Sequence, residues 1–139
     1  IVFILLIFPG DIKIPLAFAV ATVNTPLLTI YSTDEGLQSY KKMLPDKYES
    51  LDKDYKKILF LYFAIVHLLI LVLSRAYFSL KLLGLAIFLT IFNSYFSFYL
   101  ENKFTITNKI TTMEIWKSPR KYILGIVVFF ISFLVLLII

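Results

Sequence analysis

The sequence has no cysteine, a single histidine (His67) and a single tryptophan (Trp116) in 139 residues. Without cysteine there is no disulfide, thiolate nucleophile or thiolate metal ligand. One histidine with no clustered carboxylates makes no metal site, so no metal is expected. Acid is scarce as well. Six of the nine acidic residues (Asp34, Glu35, Asp46, Glu49, Asp52 and Asp54) fall in the stretch 32–57. No phosphate-cradling P-loop and no nucleophile–base pair can be found, so a nucleotide-hydrolysing or covalent enzyme is not expected. The net charge is +5, but the aromatic residues lie within apolar runs. A nucleic-acid platform of aromatics interleaved with basic residues is therefore not expected.

Hydrocarbon is what the chain has in excess. Its residues are 60% hydrophobic, and its mean hydropathy is +0.87. A soluble domain is nearer half apolar, so the excess predicts an integral membrane protein. Taken in order, Ile1–Phe8 reads as the tail of a first span, and Pro9-Gly10-Asp11 as a turn. Ile12–Ile30 reads as a second span, with Pro15 near its start and Asn24 and Pro26 within it. Ile58–Leu73, Leu82–Leu100 and Tyr122–Ile139 follow as third, fourth and fifth spans, each near the ~20 residues a bilayer requires. Ser118-Pro119 suits the start of the last, as N-cap and first helical residue. The fold class expected is an all-α polytopic transmembrane helix bundle, one domain over 1–139. Five spans are visible of an expected six, because both ends of the chain fall inside apolar runs.

The stretch 32–57 cannot lie in hydrocarbon. Its six acids face six lysines (Lys41, Lys42, Lys47, Lys53, Lys56 and Lys57), and each charge at the bilayer centre costs at least ~2.5–3.5 kcal/mol. It reads as a water-side loop holding two short amphipathic helices. Ser32 and Glu35 have capping-box spacing. Leu37, Tyr40 and Leu44 share one helical face, bordered by Met43. Pro45 would start the second helix, whose stripe is Tyr48, Leu51 and Tyr55. Glu49–Lys53 and Asp52–Lys56 are i,i+4 pairs in the favourable order. The loop serves either as a helix resting on lipid or as a docking surface for another protein.

Lysine and arginine counts orient the chain. The loops 32–57 and 101–121 hold eleven of the fourteen; the opposite side holds Lys13, Arg75 and Lys81. The positive-inside rule puts both long loops in the cytoplasm. In the second loop Ile106, Ile110, Met113 and Trp116 recur at helical spacing, which reads as a helix on the membrane surface.

Three polar residues inside spans are candidates for a substrate path: Asn24, His67 and Asn93. The plainer role of each is structural. His67 has no acid in its own span, which favours a packed, hydrogen-bonded histidine over a proton relay. Asparagines within spans commonly stitch helices together. Arg75 and Lys81 are expected to snorkel to the outer interface.

At Thr29–Tyr62 the sequence resembles the small six-span permease subunits of bacterial ABC exporters of the type-2 class. The residues that carry the resemblance are Asp34, Glu35, Gly36, Tyr40, Leu44 and Pro45, then Lys53 and Tyr55. Asn93–Phe104 is similar to the exit of that family's fourth span. Asp46-Lys47 departs from the Ser-Arg/Lys pair the family usually has after Leu-Pro, and the 101–121 loop is longer. The resemblance implies a coupling loop at 32–57 that docks on a separate ATP-binding cassette subunit through Leu37, Tyr40, Met43 and Leu44. ATP and magnesium would sit on that partner and no cofactor on this chain. A second permease subunit would complete the path in a bacterial cell membrane, for a peptide or hydrophobic small molecule. Two other classes stay open: a non-catalytic structural subunit of a larger membrane complex, and the membrane anchor of a truncated lipid-modifying enzyme.

Overall fold

The computed structural model describes residues 10–23, 43, 45–74, 79–103 and 120–138. They form four α-helices with no strand among the described residues: α1 (Gly10–Ala21), α2 (Pro45–Leu73), α3 (Leu80–Lys103) and α4 (Arg120–Ile138). At 1.5 Å per residue, the 29 residues of α2 and the 24 of α3 extend ~44 and ~36 Å.

Local chemistry sets the helix ends. α1 closes at Thr22, whose amide reaches Ala19 O at 3.1 Å while its hydroxyl donates to the same carbonyl at 2.6 Å. A carbonyl otherwise orphaned at a helix end is thereby satisfied twice. At the start of α3, the Ser79 hydroxyl accepts from the Leu82 amide at 3.2 Å. This is an N-cap serine bonding the third helical residue. α2 ends with the Ser74 amide on Ile70 O at 2.9 Å.

The helices pack α1 on α4 and α2 on α3, with lesser contacts of α1 with α2 and α3 with α4. Packed neighbours run antiparallel. Tyr62 donates to Ala21 O at 3.1 Å, whereas Phe18, a turn earlier in α1, meets His67, a turn later in α2. Tyr55 faces Phe98, and His67 faces Thr90. α1 and α4 meet at Gly125, where an added Cβ would lie 3.3 Å from Thr22 Oγ1 and 3.4 Å from Ala19 O. A small residue is required for so close an approach of two helices. Phe18, Leu59, Phe63, Ile70, Leu89 and Val128 are fully buried at the centre.

Two helices are long and apolar enough to cross a membrane: Glu49–Leu73 in α2 and Leu80–Lys103 in α3. The apolar stretches Ile12–Ala21 and Tyr122–Leu137 are shorter. The core helix of a soluble protein can have the same length and composition, but it is mostly buried. Only 22% of the most apolar window of α2 is buried. Its outward face carries Ile58, Leu61, Ile65, Leu68 and Val72, all exposed. Its inward face carries Tyr55, Leu59, Phe63, His67 and Ile70, all buried.

The structure corrects several expectations. Gly10 and Asp11 belong to helix α1 rather than to a turn. Pro45–Lys57 is not a separate short helix but the polar end of the same helix that holds the apolar stretch Ile58–Leu73. The buried stripe runs unbroken from Tyr55 through Leu59, Phe63 and His67 to Ile70, across the change from charged to apolar sequence. Of the two expected ion pairs, Glu49–Lys53 is present at 2.8 Å. Lys56 instead places Nζ 4.2 Å from the Phe98 ring centroid, and Lys57 pairs with Asp54 at 3.1 Å. The helix expected from Leu82 begins two residues earlier, at Leu80, because Ser79 caps it. The Ile1–Phe8 span, the 24–30 part of the second span, the Ser32–Glu35 box, Arg75, the 104–117 loop and Ser118-Pro119 lie outside the described residues.

Candidate functional site: a polar seam inside the bundle

The first half of α3 buries Leu82, Leu85, Ala86 and Leu89, but from Thr90 to Glu101 the helix is largely polar on its covered side. Its buried face carries Thr90, Asn93, Ser94, Ser97 and Glu101, while Leu80, Ile87, Phe88, Ile91, Tyr95 and Tyr99 are exposed. The polar positions recur at spacings of three and four, so they form one seam along the helix. Glu101 is 0% exposed, a carboxylate drawn wholly into the protein.

His67 of α2 meets this seam. Its Nδ1 lies 2.8 Å from Thr90 Oγ1, and its Nε2 lies 3.4 Å from Asn93 Nδ2. The Thr90 hydroxyl spends its one hydrogen on Ala86 O, at 2.8 Å. In the tautomer with the ring proton on Nδ1, Thr90 accepts from His67. Nε2 is then free to accept from the Asn93 amide, and the neutral ring is satisfied at both nitrogens. Phe18 meets the ring edge-on at 5.1 Å between centroids, and Phe63 lies at 5.9 Å. Ser94 donates to Thr90 O at 2.6 Å. Three helices, α1, α2 and α3, thus meet at one imidazole.

Two seam atoms are left over. Asn93 Oδ1 and Ser97 Oγ are buried without a hydrogen-bond partner among the described residues, as is Ser74 Oγ at the end of α2. Asn93 and Ser97 are four residues apart on α3 and so lie on neighbouring turns of one face. An unpaired buried polar atom costs ~1–3 kcal/mol, which makes this part of the seam a place where a further polar group would be stabilised. On α4, by contrast, Ser132 satisfies itself on Val128 O and Phe129 O at 2.7 and 3.1 Å.

Among the residues expected to line a path, His67 and Asn93 are brought together. Asn24 lies outside the described residues. Of the expected docking face, Met43 is helical and 76% exposed; Leu37, Tyr40 and Leu44 lie outside the described residues. Thr90 and Glu101 were not singled out from the sequence. The signal was there in the polar recurrence at 90, 93/94, 97 and 101, but ending the span at Leu100 placed Glu101 in a loop. No group of three or more His, Asp or Glu among the described residues could hold a metal ion.

Comparison of the chain with protein-family models, with curated proteins and with solved structures gave no match.

Proposed function

We propose that this chain is a membrane-embedded subunit of a bacterial ATP-driven exporter. The observation that carries the membrane part is the apolar outer face of α2 and α3 together with the polar seam that the second half of α3 buries. In water such an arrangement would expose hydrocarbon and bury hydrogen-bonding groups, losing on both counts. In a bilayer the outer face is solvated by acyl chains, and the polar groups must find partners within the bundle.

The transport part rests on two features together. The seam of His67, Thr90 and Asn93 supplies polar groups at bilayer depth, where a passing peptide or polar headgroup would otherwise lose its hydrogen bonds. α2 supplies a mechanical link, since the charged segment Pro45–Lys57 and the span holding His67 are one helix. A push on the 32–57 loop by a docked ATP-binding subunit would tilt that rod and shift His67 against Thr90 and Asn93. Two such chains would face each other across the path, with the 11-to-3 charge asymmetry placing the loops in the cytoplasm.

The test is reconstitution with the ATP-binding subunit that co-purifies. Leu51→Pro would break the rod on its water side, since proline removes a helical hydrogen bond and clashes with the carbonyl four residues before it. Transport should fall at least tenfold while ATP hydrolysis continues, and Leu51→Ala should transport normally. Full transport by an assembled Leu51→Pro chain, or the absence of any ATPase partner, would remove the exporter proposal.

A further inference from the structure

The outer side of the α2–α3 interface does not close completely. At the charged end, a cleft of about 420 Å³ is bounded by Lys56, Lys57, Phe60, Leu61, Ser94 and Tyr95. Further along the same interface, a cleft of about 300 Å³ is bounded by Phe60, Ala64, Leu68, Ile87 and Ile91, with His67 and Thr90 in its wall. Phe60 is common to both, so cation and hydrocarbon lie in series along one groove. Lys57 and His67 are ten residues apart in one helix, ~15 Å at 1.5 Å per residue. That is the depth of one leaflet of a ~30 Å hydrocarbon core.

The cations at the mouth are available. Lys57 pairs only with Asp54, and both side chains are more than half exposed, a weak arrangement in water. Lys56 lies over the Phe98 ring, a contact that leaves its ammonium hydrogens open to an anion. The next lysine out, Lys53, pairs with Glu49 at 2.8 Å and lines neither cleft. Tyr95, exposed at the same level, is a side chain typical of the headgroup boundary.

We propose that this groove binds one anionic phospholipid. Its phosphate sits on Lys56 and Lys57, and one acyl chain runs past Phe60 and Ala64 towards His67 and Thr90. A zwitterionic lipid supplies the chain, but its ammonium meets two lysines. Inorganic phosphate supplies the charge but leaves the groove empty. The site rests on the membrane reading above; its bound chain would wedge against α2 beside the His67 junction.

The experiment uses the full chain in nanodiscs of equal phosphatidylglycerol and phosphatidylcholine, with the retained lipid counted by native mass spectrometry after transfer to neutral detergent. The wild type should retain phosphatidylglycerol over phosphatidylcholine by about five-fold per lysine, and excess inorganic phosphate should not displace it. Lys56→Gln with Lys57→Gln should bring that preference close to one, and Lys53→Gln should leave it unchanged. Ala64→Phe, which fills the groove, should lower retention of both lipids. Equal retention of the two lipids by the wild type, displacement by phosphate, or a preference that survives both lysine changes would overturn the site. If the double-lysine variant does not assemble, unchanged retention by Ala64→Phe overturns it. A chain that never enters the nanodisc overturns the membrane reading itself, a different outcome from one that enters and binds both lipids alike.

Discussion

The His67 imidazole and the Thr90 hydroxyl lie 2.8 Å apart, one on α2 and the other on α3, 23 residues away in the chain. In the tautomer with the ring proton on Nδ1, and with Thr90 donating onward to Ala86 O, the pair has a direction, ring to hydroxyl to carbonyl. The bond that joins the two longest helices then leaves Nε2 to accept from Asn93.

This pair should be energetically coupled. Thr90→Val leaves His67 Nδ1 buried without its hydroxyl partner, and His67→Phe removes the ring nitrogen. Each single change should destabilise the bundle, and the double change should cost less than their sum. Interhelical hydrogen bonds in membrane bundles average ~0.6 kcal/mol, with a maximum near ~1.7, and the coupling should fall in that range. Unfolding of the four cycle members in mixed micelles measures it; strict additivity would show that the bond contributes nothing.

A relay role and a packing role for His67 also part company in transport. His67→Gln keeps a donor and an acceptor but cannot shuttle a proton at the imidazole. If His67 is a structural hub, most transport survives. Near-complete loss in a variant that is normally expressed and assembled would establish a relay.

Two glycines should respond oppositely to alanine. An added Cβ at Gly84 meets nothing within 4 Å, whereas at Gly125 it meets Thr22 Oγ1 at 3.3 Å. Gly84→Ala should stabilise by ~0.5–1 kcal/mol, the ordinary helical gain. Gly125→Ala should lose that gain, because the Thr22 hydroxyl is already held by Ala19 O. Gly125→Leu should cost ~1–3 kcal/mol by overpacking α1 against α4. Stability in micelles tests the order; equal gains at both positions would contradict the close approach.

The docking face makes a prediction of its own. Tyr40→Ala should detach or uncouple an ATP-binding partner, since truncating an interface aromatic often costs ≥2 kcal/mol. Lys41→Ala should be mild, because exposed ion pairs contribute ~0–1 kcal/mol. Co-purification and coupled hydrolysis are the readouts. If Tyr40→Ala changes neither, the loop does not dock through this face.

What the sequence made legible follows from which forces are local. The apolar runs from Ile58 and from Tyr122 lie within α2 and α4, and the Glu49–Lys53 pair forms, because hydropathy and i,i+4 geometry act within one helix. The continuity of α2 through Lys57 was hidden by a change of composition. Charge marks where water begins and not where a helix ends. The burial of Tyr55 and Glu101 was hidden for the complementary reason, since only the facing helix decides which side of a polar segment is covered. His67 and Asn93 could each be picked out, but their meeting depends on the antiparallel register of α2 and α3, which no single stretch encodes.

The central claim is that the outside of this bundle is solvated by lipid. The absence of cysteine allows single-cysteine spin labels to be placed without altering a native thiol. Labels at Leu61, Ile65, Leu68 and Val72, the exposed face of α2, are compared in liposomes with a label at Lys53. The measurement is relaxation by oxygen, which concentrates in acyl chains, against relaxation by a water-soluble nickel chelate. Lipid solvation predicts high oxygen and low nickel accessibility at the four apolar positions, peaking at Leu68, with the reverse at Lys53. Nickel accessibility at Ile65 and Leu68 equal to that at Lys53 would contradict it.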